Sequence, residues 1–185
     1  MPEMPRYVYA ILIAGWIAWC APFFLIRNRG GKAATIDRRA RWGIVLEGIG
    51  FAIVWQVMLW TRTPAVWRVF AGTPFLALAA LLSWTSARTL GRQWRFDAGL
   101  NADHRLVKEG AYRYIRHPIY ASMLCLLMGV GLLVTRIVLI PPALVFFIAG
   151  TEIRVRIEDR LLASRFGAEF EAYRREVPAY IPFVR

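Results

Sequence analysis

An uncharged apolar run over residues 7–26 constrains this chain more strongly than any other feature of its sequence. A helix of about twenty residues crosses the roughly 30 Å hydrocarbon core of a bilayer. A cleaved signal peptide would have a more basic start, a shorter apolar run and a site of small residues after it. The run therefore predicts a transmembrane helix near the N-terminus.

Four further apolar segments follow at about residues 42–60, 69–86, 118–135 and 138–153, with Glu47 inside the first of these four. The chain is 58% hydrophobic, whereas soluble domains average about 45–50% apolar residues. Arg136 and the Pro141-Pro142 pair separate the last two segments and predict a tight helical hairpin. We expect an all-α integral membrane protein with about five transmembrane helices, in a single membrane domain over residues 1–185.

The Lys and Arg residues predict how these helices are oriented. Of 24 such residues, twenty fall in residues 27–41, 88–116 and 154–185, and four fall on the opposite side. The positive-inside rule then places the N-terminus outside and the C-terminus in the cytoplasm. The net charge of +12 is explained by residues that flank a membrane and face anionic lipid. We therefore expect membrane lipids rather than nucleic acid as partners, in the inner membrane of a bacterium or archaeon.

Metal binding has little support in the sequence. The two cysteines, Cys20 and Cys125, lie inside apolar runs, and the two histidines, His104 and His117, stand outside any zinc-binding motif. We predict no metal site. The short Gly129-x-Gly131 pattern does not specify an oligomeric state.

The chain's densest cluster of cationic and aromatic residues lies at residues 110–120, directly before the fourth apolar segment. Pro118 is suited to the first turn of a helix, where its missing N–H costs nothing, and His117 then becomes the N-cap. A helix N-terminus favours an anion, and Arg116 adds a full charge. A small anionic ligand fits this cluster, and a collar for lipid headgroups fits it equally well.

Gly110 lies in a segment, residues 107–112, that we predict to be an irregular loop. Glycine permits a sharp turn and a close approach of the backbone to a ligand. Because the loops are too short for a soluble catalytic domain, any cytoplasmic site must be built from residues 88–120 and 154–185.

A second charged segment follows the fifth apolar segment. Arg154 and Glu158 are four residues apart and share one face of a helix, whereas Glu152 and Arg156 share another. Such groups at the end of a span face a pocket or water, and a solvated charged helix is the alternative. Apolar residues over 161–173 recur at helical spacing and predict a C-terminal interfacial helix.

Several of these segments resemble the isoprenylcysteine carboxyl methyltransferases, and membrane phospholipid methyltransferases share much of the pattern. The resemblance covers roughly the last hundred residues, in order. Its motifs are Leu90-Gly91-Arg92-Gln93-Trp94, residues 106–120 with their Arg116-His117-Pro118-Ile119-Tyr120 core, residues 154–159, and Phe166-Gly167 followed at the family's spacing by Tyr173. Asp159 stands where the family has a second glutamate, and Ala121 where glycine is common.

The resemblance implies a methyltransferase that uses S-adenosylmethionine as cofactor and a lipidic or amphipathic acceptor such as an isoprenylcysteine carboxylate. It implies catalytic roles for Arg154 and Glu158. The implied cofactor-binding residues are Val107, Gly110, Ala111, Tyr112, Arg116, His117, Pro118, Tyr120 and Glu158.

Two other functions share parts of this pattern. Membrane sterol or enone reductases, which use NADPH, have a similar basic His-Pro-x-Tyr region but usually more membrane spans. A non-enzymatic lipid-binding membrane protein would keep the cationic cluster and bind no cofactor. Binding of S-adenosylmethionine, of NADPH or of neither discriminates among the methyltransferase, the reductase and the lipid-binding protein.

Overall fold

The computed structural model describes residues 4–26, 33–56, 60–61, 63–93, 99–101 and 105–181. Two short antiparallel strands, β1 (Ala33–Ile36) and β2 (Gly99–Asn101), pair with each other. Short 3-10 turns lie at Gly91–Gln93, Gly110–Arg113 and Ile137–Leu139. The helices within these ranges are α1 (Arg6–Leu25), α2 (Ala40–Val54), α3 (Val66–Leu90), α4 (Pro118–Val134), α5 (Ile140–Phe166) and α6 (Ala168–Glu176).

Each of the five apolar segments contains a helix, which confirms the helical architecture. Three stretches are long and apolar enough to cross a membrane, namely Arg6–Leu25, Val66–Leu90 and Ile137–Phe166, and Pro118–Val134 is a shorter apolar helix. Helix α2 ends at Val54 rather than near residue 60, and it has 15 residues. The count of five spans and the outside location of the N-terminus stay predictions.

The helices pack in two groups. Helix α3 lies against both α1 and α4, whereas α2 packs along α5. The predicted turn between α4 and α5 is short, but α5 makes its main contacts with α2 and few with α4. The core between the helices is apolar, and its largest fully buried side chains include Leu126, Leu127, Leu133 and Phe147.

Large apolar side chains point outward from the helices. Phe24 on α1, Phe70 on α3 and Val145 on α5 are 83%, 75% and 67% exposed. Exposed apolar area of this extent is unfavourable in water and favourable against lipid chains. The protein is an integral membrane protein.

The charged segment at 154–159 is helical, as the sequence predicts, and it continues the fifth helix without a break up to Phe166. Gly167, with φ of 53°, then ends α5, and the predicted C-terminal helix follows as α6. Its location at the membrane interface stays a prediction.

Candidate active site

A cavity of about 740 Å³ lies at the end of the bundle where α4 begins, and all six helices line it. Its polar end is formed by the first residues of α4, the charged part of α5 and the connection before α4. Helices α1 and α2 contribute mainly apolar side chains to the lining, and we call these side chains the apolar end. The polar end includes Gln93, Tyr112, Arg116, His117, Tyr120, Arg154 and Glu158, and the apolar end includes Trp19, Phe23, Phe24, Ile44 and Phe51.

The start of α4 has the geometry that the sequence predicts. Pro118 occupies the first turn and His117 is the N-cap. Gly110 has a φ of 58°, and a Cβ at this position would lie 2.5 Å from Thr89 Oγ1. A left-handed backbone and lack of space therefore both require glycine here.

The N-cap histidine joins α4 to α5. His117 Nε2 lies 2.8 Å from Asp159 Oδ1, and Nδ1 lies 3.3 Å from Glu158 Oε2. The Tyr120 hydroxyl donates a hydrogen bond to the same Glu158 carboxylate. The cationic cluster before α4 and the acidic pair on α5 therefore form one site.

The carboxylates change the protonation of His117. Burial of the ring lowers its pKa, but hydrogen bonds to Asp159 and Glu158 and the two negative charges raise it to about 9. The favourable pairing exceeds the desolvation penalty because both ring nitrogens face an anion. His117 is therefore a cation at neutral pH, and it lines the cavity.

Arg116 mainly connects the site to the C-terminal segment. Its Nη2 lies 3.1 Å from Asp159 Oδ2, and its Nη1 donates to the Arg174 carbonyl at 3.0 Å and to the Val177 carbonyl. The backbone N–H of Arg116 donates to Pro178 at 2.9 Å. Arg116 lines the cavity, and its hydrogen bonds join residues 174–178 to Asp159 of α5.

Arg154 lines the cavity and contacts lining residues of both α4 and α2. Its Cζ lies 4.9 Å from the centre of the Tyr120 ring, a distance typical of a cation–π contact. Its Nη1 lies 3.0 Å from Glu47 Oε2. Arg154 thus contacts Tyr120, whose hydroxyl is hydrogen-bonded to Glu158, and it also forms an ion pair with Glu47 of α2.

Most of the predicted site residues line the cavity, although their roles in binding and catalysis stay predictions. Val107, Tyr112, Tyr120 and Glu158 lie on its wall with Arg116, His117 and Arg154. Gly110, Ala111 and Pro118 are not wall residues; they belong to the turn and the helix start that position their neighbours.

Two residues that line the cavity, Glu47 and Tyr173, are not among the site residues that the sequence predicts. Glu47 is 3% exposed and lines the cavity. A single acid within an apolar segment was the available signal, because ionisable residues in spans face the protein interior. The Tyr173 hydroxyl donates to the Tyr112 carbonyl at 2.5 Å, and no sequence signal beyond the family spacing distinguishes this tyrosine.

Among the residues that the structure describes, no group of His, Cys, Asp and Glu is arranged to hold a metal ion.

Comparison with known proteins identifies the family. Residues 67–169 match the phospholipid methyltransferase family, and this range contains both His117 and Glu158. The chain belongs to the phospholipid methyltransferase family. The match also includes α4, α5 and all but the first residue of α3, and it contains every residue named above for the polar end of the cavity.

This family member is similar to several curated proteins. It is 34% identical over 87 residues to the protein-S-isoprenylcysteine O-methyltransferase of Schizosaccharomyces pombe, covering 45% of this chain and 36% of that protein. It is 32% identical over 161 residues to the cobalt-zinc-cadmium resistance protein CzcN of Cupriavidus metallidurans, covering 86% of this chain and 66% of that protein. The chain thus spans about a third to two thirds of the length of these relatives.

The fold has a solved counterpart. The eukaryotic intramembrane Ras methyltransferase, an isoprenylcysteine carboxyl methyltransferase, matches with a TM-score of 0.51 and 22% identity, over 81% of this chain and 55% of that one. At 22% identity this similarity shows a shared fold alone.

Proposed function

We propose that this protein is a membrane methyltransferase that uses S-adenosylmethionine to methylate a lipidic or amphipathic acceptor, for example an isoprenylcysteine carboxylate. The observation that carries the proposal is the cavity, which is lined by charged residues that include His117 and Glu158 and by apolar side chains of α1 and α2. A polar cofactor and an acceptor with an apolar chain require both kinds of side chain. Membership of a methyltransferase family supports the same chemistry.

The polar end fits S-adenosylmethionine. The cavity volume of about 740 Å³ lies within the range of about 300–1,000 Å³ of ligand pockets. Glu158 offers a carboxylate for the hydrogen-bond donors of the cofactor, and Tyr112 and Tyr120 offer aromatic faces that favour a cation. The N-terminus of α4 favours a carboxylate. When bound, the cofactor supplies an electrophilic methyl group on a sulfonium.

The residues at the border of the cavity act by positioning. Arg154 is proposed to orient the head group of the acceptor, and Glu158 is proposed to fix the cofactor through its contacts with His117 and Tyr120. Displacement at a sulfonium by a carboxylate requires little acid–base help. Correct positioning of two reactants contributes about 7–11 kcal/mol, so these contacts supply much of the acceleration.

The proposed location follows from the distribution of charge. The site lies at the end of the bundle that carries Arg113, Arg156, Arg160 and Arg165, in segments that hold most of the chain's cations. By the positive-inside rule we place it on the cytoplasmic side of a prokaryotic inner membrane. Free cofactor would then enter from the cytoplasm and the acceptor from the bilayer.

Isothermal titration of detergent-purified protein with S-adenosylmethionine and, separately, with NADPH tests the proposal. We expect the first to bind and the second not to bind. His117→Ala should weaken S-adenosylmethionine affinity by about tenfold or more, because a buried charged hydrogen-bonding group is lost. Arg160→Gln, an exposed change on α5, is the matched control and should bind as the unaltered protein does.

The second step is transfer of a labelled methyl group from S-adenosylmethionine into a native lipid extract. Label in a lipid product supports the proposal. NADPH binding without S-adenosylmethionine binding would replace the proposed function with a reductase, and undiminished affinity in His117→Ala would remove the central site assignment.

A further inference from the structure

A buried carboxylate in α2 is not assigned any role by the pattern that relates this chain to its family. Glu47 stands in the middle of an apolar helix and is 3% exposed. Its Oε2 lies 3.0 Å from Arg154 Nη1, and its Oε1 accepts a hydrogen bond from Thr151 Oγ1 at 3.1 Å. A buried carboxylate without such partners would be strongly destabilising.

The backbones of α2 and α5 fix this pair of charges. A Cβ at Gly150 would lie 2.5 Å from the Gly43 carbonyl and 2.8 Å from the Glu47 nitrogen, and a Cβ at Gly43 would collide with the Arg154 side chain. The two helices therefore approach closely at the level of Glu47. The opposite charges lie across this crossing and have little freedom to separate.

The position of the pair within the cavity suggests its role. Glu47, Gly48 and Phe51 line the cavity from α2, and Glu47 is a charged residue among otherwise uncharged neighbours there. Arg154, which pairs with Glu47, also contacts the Tyr120 ring, and the Tyr120 hydroxyl donates to Glu158. The head group of an acceptor whose chain lies against the apolar side chains of α1 and α2 would then lie near both charges.

We propose that Glu47 is a specificity-determining residue that compensates the charge of Arg154, so that the cavity accepts uncharged amphiphiles as readily as anionic ones. Arg154 alone would select an anion, because a buried cation without a counter-charge attracts one strongly. With Glu47 beside it, an anionic head group gains the attraction of Arg154 and meets the repulsion of Glu47. The apolar chain then dominates affinity. This inference rests on the proposed division of the cavity into cofactor and acceptor ends.

The test measures binding of two probes, dodecane-1-sulfonate and dodecanamide, which share an alkyl chain and differ in charge. The protein is placed in nanodiscs of zwitterionic lipid, and partition into empty nanodiscs is subtracted. We expect the unaltered protein to bind both with affinities within about threefold. Glu47→Gln keeps an acceptor for Thr151 and should favour the sulfonate by about tenfold, the effect of one uncompensated charge at reduced dielectric.

Two further variants keep the test decisive if Glu47→Gln folds poorly. Arg154→Gln leaves Glu47 uncompensated and should shift the preference in the opposite direction, toward the amide. The double variant removes both charges and should show no preference. Glu152→Gln removes a half-exposed carboxylate of α5 that pairs with Arg156 and should bind both probes as the unaltered protein does.

A sulfonate-to-amide ratio that changes less than about threefold in Glu47→Gln and in Arg154→Gln would overturn the proposal. So would a shift in the same direction in both variants. Titration of S-adenosylmethionine into the same samples reports the cofactor end separately. If the unaltered protein does not bind S-adenosylmethionine, the proposed function is refuted. The effect of charge on binding of the two probes is measured independently of that result.

Discussion

Buried arginines stand at both ends of the helix bundle, and their partners differ. At one end, Arg154 pairs with Glu47 at 3.0 Å and borders the cavity. At the other end, Arg68 of α3 is 5% exposed and is held by neutral groups. Its Nη2 donates to the carbonyls of Gly131, at 3.1 Å, and Thr135, and its Nη1 donates to Thr61 Oγ1 at 3.2 Å.

The hydrogen-bond and ion-pair partners distinguish Arg68, a structural arginine, from Arg154, which we propose to be functional. Carbonyls in the last turn of a helix have no partner within the helix, and a cation is favourable there. Arg68 satisfies this need at the end of α4. Arg154 pairs instead with a carboxylate and lies over an aromatic ring beside a cavity. Burial of a charge is therefore insufficient to mark a site, and the chemical nature of its partners is more informative.

The largest expected effect is on stability, at Arg68. Arg68→Met removes the guanidinium donor from the Thr135 and Gly131 carbonyls, although the Gly131 carbonyl keeps the hydrogen bond from the Thr135 N–H. We expect the free energy of unfolding to fall by roughly 2–5 kcal/mol, because hydrogen bonds to a charged group are lost and acceptors stay buried. Thermal or denaturant unfolding in detergent measures the change.

The matched control for Arg68→Met is Arg136→Met, an exposed cation at the same end, which should alter stability little. Folded Arg68→Met protein should bind S-adenosylmethionine as tightly as the unaltered protein. Weaker S-adenosylmethionine binding by the folded variant would contradict the conclusion that Arg68 has a structural role only.

The second prediction concerns pH and the cavity end. The pKa of His117 is raised to about 9 in the folded protein, whereas an unfolded histidine has a pKa of about 6.5. The folded state therefore binds more protons between these values, so its stability is fully present below pH of about 6.5 and is lost as pH rises toward about 9. The midpoint of thermal unfolding should decrease over this window.

His117→Gln tests the origin of this pH dependence, since glutamine does not titrate. The variant should show a smaller decrease of the unfolding midpoint over the same window. An equal decrease in both proteins would assign the effect to another group. Arg68→Met, which leaves the cavity cluster intact, should retain the full decrease.

The smallest expected effect is at the exposed ion pair between Lys108 and Glu169, whose Nζ and Oε1 atoms lie 2.7 Å apart. The two side chains are 39% and 58% exposed, so solvent screens their attraction. Glu169→Gln should change the free energy of unfolding by less than about 1 kcal/mol, as measured by the same unfolding experiment. A larger loss would show that charge pairs at this end stabilise the fold regardless of burial.

The helices and the start of α4 could be predicted because local rules determine them. Apolar runs of sufficient length become helices in lipid, and Pro118 fixes the helix start. Helix ends were less predictable: α2 ends at Val54 and α3 begins at Val66, so that Arg68 lies within the helix. The pairing of β1 with β2 joins two distant loops, and no local signal marks such a contact.

The sequence by itself determined that the chain is a helical membrane protein and that Arg116, His117, Tyr120, Arg154 and Glu158 belong to its polar segments. The tertiary structure decided their partners. Residues 117 and 159 meet because α4 and α5 converge, and Glu47 meets Arg154 because Gly43 and Gly150 let α2 approach α5 closely. Such contacts depend on the packing of helices far apart in the chain, which spacing along a single helix does not encode.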